Sequence, residues 1–127
     1  MILVLGGYDR KSTVETFDSQ TQHWHGSGDG CTPQKVQMLH FPNQPDGCHE
    51  CAMVYFNGCV YVLGGWRRNG VSNEVSILNI ALRSWTKGPC MQSKRWYFGA
   101  TELNGKIYCA GGGDGSKPIK FISLHFV

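Results

Sequence analysis

The sequence predicts an all-β fold of short antiparallel strands, and three observations carry this prediction. A short apolar strand that ends in a glycine pair occurs at residues 2–7, 60–65 and 107–112. An Asn-Gly dipeptide stands between two apolar runs at residues 57–58 and 104–105, which favours a two-residue hairpin turn because both residues tolerate a positive φ. The 17 glycines are nearly twice the average usage of about 7%, whereas helix signals are nearly absent. A sequence pattern repeated in this way indicates a repeated structural unit.

The repeat predicts the strands in chain order. Residues 56–61 match residues 103–108, 47 positions further along, so each copy predicts a strand, a tight turn and a second strand. Residues 14–18 match residues 75–79, and Trp24 matches Trp85, which adds a third strand, a turn and a fourth strand. More residues separate Trp24 from the second glycine pair than separate Trp85 from the third. Because loops vary in length more than strands do, these extra residues are assigned to a Gly- and Pro-rich loop at 25–48. The repeat therefore predicts four strands per unit and ten strands in the chain.

Composition and charge predict a single globular domain. Of the 127 residues, 41% are hydrophobic and 17% are charged, as is typical of globular proteins. The longest apolar stretch falls far short of the roughly 18 residues that span a membrane, and no export signal is recognisable. We therefore expect a cytoplasmic protein whose six cysteines are reduced. The formal net charge of +3 mildly favours acidic partners, with neither nucleic acid nor membrane expected.

The chain resembles the Kelch-repeat β-propeller family, whose blades show an apolar strand ending in Gly-Gly and a Trp at fixed spacing. The matching residues are the three glycine pairs with Trp24 and Trp85, whereas Leu78 stands where an aromatic residue is usual. The resemblance implies antiparallel four-stranded blades in an incomplete propeller of about two and a half to three blades. Blade one, strands b to d, is placed at residues 1–24, blade two at 49–88, and strands a to c of blade three at 95–127. Trp24 and Trp85 are expected to act as wedges between blades.

A propeller typically closes with four to eight blades, so the resemblance implies that these blades cannot close a ring alone. Their open edges can pair with other chains, and self-association is expected. The sequence leaves open a fragment of a larger propeller, a truncated product without independent activity, and a ring completed by assembly.

The resemblance implies a protein-interaction module that binds through the loops at one mouth of the propeller. Aromatic and arginine residues are favoured in protein-binding hot spots, and the positive charge of these loops predicts an acidic peptide or loop as partner. Relatives often carry a further domain that recruits ubiquitin-ligase machinery or actin, which suggests a substrate-recognition or scaffold fragment. By position, the candidate binding residues are Tyr8, Arg10, Trp66, Arg67, Arg68, Gln92, Ser93, Lys94, Arg95 and Lys117.

Cys48 and Cys51 have the C-x-x-C spacing of zinc sites, so a metal-dependent propeller enzyme is the alternative function. One pair supplies half of a tetrahedral site, and Cys51 matches Phe98 of the next unit, which favours a place in the core. Candidate further ligands within loop reach are Cys31, His40, His23 and His25. We assign no metal, no cofactor and no catalytic residue.

The glycine-rich run at residues 111–117 is predicted to be a turn between strands. It lacks the Gly-Lys-Ser/Thr order of a phosphate-binding loop, because Ser116 precedes Lys117 and Pro118 follows.

Overall fold

The structure, a computed structural model, describes residues 2–5, 14–26 and 43–126, and all of its regular elements there are β-strands. The prediction of an all-β fold is therefore confirmed. In chain order the strands are β1 (Ile2–Leu5), β2 (Val14–Asp18), β3 (His23–Gly26), β4 (Ala52–Phe56), β5 (Cys59–Leu63), β6 (Trp66–Arg67), β7 (Gly70–Val71), β8 (Val75–Asn79), β9 (Ser84–Gly88), β10 (Gly99–Leu103), β11 (Lys106–Ala110) and β12 (Ile122–Phe126).

Ten of these strands form three antiparallel sheets with the strand orders β1-β2-β3, β4-β5-β8-β9 and β10-β11-β12. This arrangement is consistent with partial Kelch blades. The limits proposed for each blade and for the long loop stay a prediction.

The described residues contain two more strands, β6 and β7, than the ten expected from the sequence. They pair Trp66 with Val71 and Arg67 with Gly70 in a separate two-stranded sheet. The pairing is possible because Gly70 has a φ of 102°, which lets the chain reverse within two residues. The loop that follows the second glycine pair is therefore itself a small hairpin.

The two Asn-Gly hairpins form as the sequence predicts. Asn57 and Gly58 have φ values of 48° and 76°, and Asn104 and Gly105 have 53° and 77°. Positive φ at both central residues is the mark of a type I′ turn, whose twist matches that of the flanking strands.

The two central strands of the four-stranded sheet, β5 and β8, contribute to buried clusters on both of its faces. On one face, Val60, Val62 and Leu78 form a cluster with Cys48. On the other face, Leu63 and Val75 belong to a cluster that includes Ile107 and Cys109 of β11. Alternate residues of β5 thus serve two cores, and the second core joins the four-stranded sheet to the β10-β11-β12 sheet.

The half-buried Trp85 packs against the cluster of Cys48, Val60, Val62 and Leu78. It is paired in register with Leu78, as Trp24 is with Phe17. The described contacts of Trp85 lie within the four-stranded sheet and the segment before it, and the side chain of Trp24 lies outside the described residues, so a wedge between blades stays a prediction.

Close approach of other segments explains the glycine pair at Gly64 and Gly65. A Cβ atom on Gly64 would lie 2.6 Å from the carbonyl oxygen of Arg95, and one on Gly65 would lie 2.7 Å from the carbonyl oxygen of His49. The Gly65 N–H donates to the Arg95 carbonyl at 2.7 Å. The pair therefore lets the segments that precede β4 and β10 cross the end of β5.

Candidate protein-binding face

Three segments meet at the ends of the strands: the loop at residues 64–74, the linker at 89–98 and the loop at 111–121. The linker is tied to the first loop by backbone hydrogen bonds from Met91 to Asn73 at 2.8 Å and from Arg95 to Ser72 at 3.1 Å. The Asn73 side chain also donates to the Met91 carbonyl at 3.1 Å. The structure thus brings together the loop of the second blade and the linking segment, as the positional argument expected.

Arg67 lies inside this assembly and is only 3% exposed. Its guanidinium donates to the carbonyl oxygens of Gly64 at 3.0 Å, Val62 at 3.0 Å and Glu74 at 3.2 Å, and to Ser76 Oγ at 2.8 Å. Arg67 therefore holds the end of β5 against the start of β8.

Arg95 is fully buried, with an exposure of 0%. Its guanidinium donates to the carbonyl oxygens of Gly111 and Phe121, both at 3.0 Å, and its carbon lies 5.0 Å from the centre of the Phe121 ring. Arg95 therefore joins the linker to the loop at residues 111–121.

The burial of Arg67 and Arg95 corrects the expectation that they are presented to a partner. At the ends of the strands, carbonyl groups leave the sheet and need donors when buried. A guanidinium carries five N–H groups and can satisfy several carbonyls at once. Both arginines are thus positioning residues for the loops.

Exposed cations surround these buried arginines, and we call them the basic loop face. Three of its members, Arg68, Lys94 and Lys117, were predicted from the sequence, and the structure adds two more from the cavity linings. The basic loop face consists of Arg68, Lys87, Lys94, Lys117 and Lys120.

Two cavities lie along the basic loop face. The first has a volume of about 410 Å³ and is lined by Arg68, Lys87 and Lys94 together with Asp46 and Glu74. The second has a volume of about 870 Å³ and is lined by Lys94, Lys117 and Lys120, with Ile119 and Phe121 among its apolar residues. Lys94 lines both cavities, so one continuous surface runs across the linker.

The remaining candidates have different positions. Gln92 is exposed, and Ser93 is half-buried and lines the second cavity. Tyr8 and Arg10 lie outside the described residues.

Lys87 and Lys120 were missed by the sequence analysis. Lys120 stands in the same loop as Lys117, three residues further on, so a complete reading of that loop could have included it. Lys87 lies on β9, and no loop signal points to it.

Trp66 is half-buried in a cluster of rings rather than standing alone on a loop. Its ring centroid is 5.2 Å from that of Trp96, which lies 4.9 Å from that of Tyr97. On the other side, Trp66 stacks on His49 at 6.3 Å. Tyr97 is the exposed member of the cluster, and no motif in the sequence marked it.

The run at residues 111–117 is a turn between β11 and β12, as predicted. The Asp114 carboxylate accepts N–H groups from Lys117 at 2.9 Å and from Ser116 at 2.8 Å. These hydrogen bonds lower the pKa of Asp114, so this carboxylate is ionised and already engaged within its own turn.

Cys48 and Cys51 come together before β4. Cys48 is 1% exposed, and its Sγ lies 3.5 Å from Gln44 Oε1. The hydrogen bond with Cys51 lowers the pKa of Cys48 to about 7; burial opposes this change, and the Arg67 guanidinium and Gln44 add to it. The same hydrogen bond and burial raise the pKa of Cys51.

The described residues contain no group of three or more His, Cys, Asp or Glu side chains that could hold a metal ion. Cys31, His40 and the side chain of His25 lie outside the description, and His23 donates through Nδ1 to the backbone carbonyl oxygen of Thr21 at 2.6 Å. Among the candidate zinc ligands whose side chains the structure describes, His23 lies elsewhere, and Cys48 and Cys51 stand in the same segment before β4.

In the parts of the chain that the structure describes, no helix is long and apolar enough to cross a membrane.

Comparison with known proteins relates part of this chain to Kelch repeats. The family model of the Kelch motif matches residues 47–92. A putative F-box/kelch-repeat protein of Arabidopsis thaliana is 38% identical over 77 residues, which cover 61% of this chain and 22% of that protein. An immune evasion protein of monkeypox virus is 33% identical over 82 residues, which cover 61% of this chain and 17% of that protein.

A Rab9 effector protein with kelch motifs from Bos taurus is 25% identical over 133 residues, which cover 98% of this chain and 33% of that protein. The chain therefore spans between about a sixth and a third of the length of these relatives.

Proposed function

Because residues 47–92 match the Kelch motif and several similar proteins carry kelch repeats, we propose that this chain binds an acidic peptide or loop of a partner protein through the basic loop face. Kelch repeats are in general protein-interaction modules, and the fold is generally a non-enzymatic one. The acidic partner is the finer part of the proposal, and it rests on the charges and cavities at the loops.

The observation that carries the proposal is the position of Lys94. Its side chain stands on the linker and lines both cavities, with Arg68 and Lys87 on one side and Lys117 and Lys120 on the other. The five cations outnumber the three carboxylates of Asp46, Glu74 and Asp114 across the two adjoining cavities. A surface of net positive charge attracts and orients a segment of the opposite charge. The buried Arg67 and Arg95 keep the loops in place, so the loops lose little conformational freedom on binding.

The second cavity suggests the chemistry of the bound segment. Three lysines face a single carboxylate, Asp114, which accepts two backbone N–H groups of its own turn. Ile119 and Phe121 add apolar surface between the lysines. A segment with an apolar side chain beside acidic residues matches both features, since the apolar group is desolvated while the carboxylates meet the ammonium groups.

The test is the binding of a fluorescein-labelled peptide in which Glu residues flank a Leu residue, followed by fluorescence anisotropy. We expect binding that weakens as salt is added, and weakens by about tenfold or more in the double variant Lys94→Glu with Lys117→Glu. A peptide with Lys in place of Glu should bind much more weakly.

The matched control is Arg83→Glu with Lys106→Glu, which changes the net charge equally at positions that line neither cavity: Arg83 lies in the β8–β9 turn and Lys106 is the first residue of β11. This variant should keep the affinity within about twofold, since only long-range attraction is altered. Equal losses in the two double variants, or equal binding of the Lys peptide, would overturn the proposed face.

We extend the proposal to a substrate-recognition or scaffold role in the cytoplasm. Three of the matched relatives are named F-box/kelch-repeat proteins, which favours a role beside ubiquitin-ligase machinery over one with actin. Affinity capture with wild-type bait, compared with the Lys94→Glu and Lys117→Glu variant, tests the role beside ubiquitin-ligase machinery. Cosedimentation with filamentous actin tests a role with actin.

A further inference from the structure

We propose that Glu50 and Tyr97 form a second binding site, which takes an arginine side chain of a partner protein against the Tyr97 ring and the Glu50 carboxylate. Neither residue lines the two cavities of the basic loop face. The test of this site therefore does not depend on the proposed function.

The first support is a backbone conformation that is unusual for these two side chains. Glu50 has a φ of 54° and Tyr97 a φ of 53°, in the left-handed region that glycine adopts without steric cost. Residues other than glycine that are held in this region cluster at binding sites, where the side chain is needed. The other such residues among those described all lie in hairpin turns, namely Gln22, Asn57, Arg83 and Asn104.

The two strained residues are neighbours in the structure. They precede equivalent strands, β4 and β10, at positions 47 apart in the sequence. The Tyr97 N–H donates to the Glu50 carbonyl oxygen at 3.1 Å, which holds the two segments side by side. A carboxylate and an aromatic ring therefore stand on adjoining backbone positions.

The Tyr97 ring is exposed and yet held in place. Its exposed fraction is 63%, and its centroid lies 4.9 Å from that of Trp96, at an interplanar angle of 60°. Trp96 in turn packs on Trp66 at 5.2 Å, and both tryptophans are half-buried. The face of an aromatic ring attracts a cation, and a ring already fixed by its neighbours loses little freedom on binding.

The Glu50 carboxylate adds a full negative charge to this surface. Within the described ranges its oxygens make no hydrogen bond or ion pair, although the residue is half-buried. Its charge is therefore available to a cation that approaches the Tyr97 ring.

These features favour a guanidinium over an ammonium group. The planar guanidinium stacks on an aromatic face and can donate two N–H groups to one carboxylate. An ammonium group is more strongly hydrated, so a ring that is open to solvent offers it less. The chain itself contains one contact of this kind, because the Arg95 guanidinium lies 5.0 Å from the centre of the Phe121 ring.

The experiment titrates the folded, isotope-labelled chain with an N-acetylated and C-amidated peptide that carries one Arg between Gly and Ser residues, and follows the backbone amide signals by NMR. We expect saturable shifts centred on Glu50 and Tyr97. The same peptide with citrulline in place of Arg keeps the planar group but loses the charge, and its Kd should be about fivefold higher or more. A Lys peptide should also bind more weakly than the Arg peptide.

Two variants separate binding from structure. Tyr97→Gly removes the ring and the strain, so it should raise the Kd of the Arg peptide by about fivefold or more without lowering the thermal midpoint. Glu50→Gln keeps the shape of the side chain and should weaken binding similarly. The matched controls are Tyr55→Thr, at a tyrosine of β4 that is 65% exposed, and Asp46→Asn, at an exposed carboxylate. Both should bind the Arg peptide as the wild type does.

The comparison of the Arg and citrulline peptides uses the wild type, so it decides the question even where a variant fails to fold. Equal affinity for the Arg and citrulline peptides, equal affinity for the Arg and Lys peptides, or unchanged affinity in Tyr97→Gly or Glu50→Gln would each overturn the proposal. Amide shifts confined to other segments, or no shift at a peptide concentration of about 10 mM, would do the same.

Discussion

Arg67 and Arg95 donate to equivalent pairs of carbonyl oxygens in neighbouring sheets. Arg67 binds those of Gly64 and Glu74, and Arg95 binds those of Gly111 and Phe121, each 47 positions further along. Each guanidinium also contacts the second side chain of its pair, by an ion pair with Glu74 at 3.7 Å and by stacking over the Phe121 ring at 5.0 Å. In both sheets, therefore, the carbonyl groups between the second and third strands of the repeat accept hydrogen bonds from an arginine. The arginine comes from β6 in one sheet and from the linker in the other.

Replacement of Arg95 should destabilise the protein. Arg95→Met leaves the buried carbonyls of Gly111 and Phe121 without donors, and we expect a loss of about 2–4 kcal/mol in the free energy of unfolding. Urea unfolding measures it. The control Arg68→Met removes an exposed guanidinium and should change stability by less than about 0.5 kcal/mol. Equal effects of the two substitutions would contradict the role given to Arg95.

A comparison of two glycines should separate close packing from backbone strain. Gly65 and Gly111 have nearly the same φ, 79° and 77°, but a Cβ would lie 2.7 Å from Cys51 Cβ at Gly65 and would meet nothing within 4 Å at Gly111. Gly111→Ala should cost about 1–2 kcal/mol from the left-handed backbone alone. Gly65→Ala should reduce the free energy of unfolding by more than this, since the segment that precedes β4 has to move. Equal losses in thermal melts would show that packing against Gly65 is unimportant.

The outer face of the β10-β11-β12 sheet should drive self-association. Leu103 and Ile122 are 57% and 67% exposed, and they line an apolar cavity of about 410 Å³ with Tyr108 and Ala110. Ile122 is paired with Ala110 as Val75 is with Leu63 in the four-stranded sheet, where the same face is buried. Exposed apolar surface of this kind favours association.

Light scattering over a range of concentrations tests this prediction. The double variant Leu103→Lys with Ile122→Lys should remain monomeric at concentrations where the wild type associates. Leu82→Lys, which changes an exposed leucine in the β8–β9 turn, should behave as the wild type does. A wild type that is monomeric throughout would refute the prediction.

The thiol pair should make stability depend on pH. The pKa of Cys48 is lowered from 9.0 to about 7 in the folded protein, so between these values the unfolded chain holds a proton that the folded protein has released. The free energy of unfolding therefore increases with pH across this interval. At higher pH the raised pKa of Cys51 acts in the opposite direction, because the folded protein retains a proton that the unfolded chain loses.

Urea midpoints measured from pH 7 to pH 9 provide the test. Cys48→Ser should have a flatter profile than the wild type, since the titrating thiol is gone, whereas Cys90→Ser should keep the wild-type slope. Parallel profiles for Cys48→Ser and the wild type would show that the pair does not titrate in this way.

Local signals were read correctly from the sequence, because the cause and the effect lie within a few residues. Asn57-Gly58 and Asn104-Gly105 adopt the predicted turns since their backbone preference is intrinsic. The β6–β7 hairpin was missed because its strands are only two residues long and carry no alternating pattern. The candidate face was predicted in part: Arg68, Lys94 and Lys117 are exposed beside the cavities, whereas binding by any of them stays a prediction.

By itself the sequence determined the ten strands of the three larger sheets, the two Asn-Gly hairpins and the repeat, because glycine pairs, Asn-Gly turns and apolar alternation act on neighbouring residues. Only the tertiary structure decided which arginines face solvent and why the glycine pairs are needed. Arg67, Arg68 and Arg95 look alike in a loop sequence, yet two of them are buried because buried carbonyls at the ends of the strands require their donors. Gly64 and Gly65 likewise depend on the carbonyls of Arg95 and His49, which the chain brings to them only when the sheets pack.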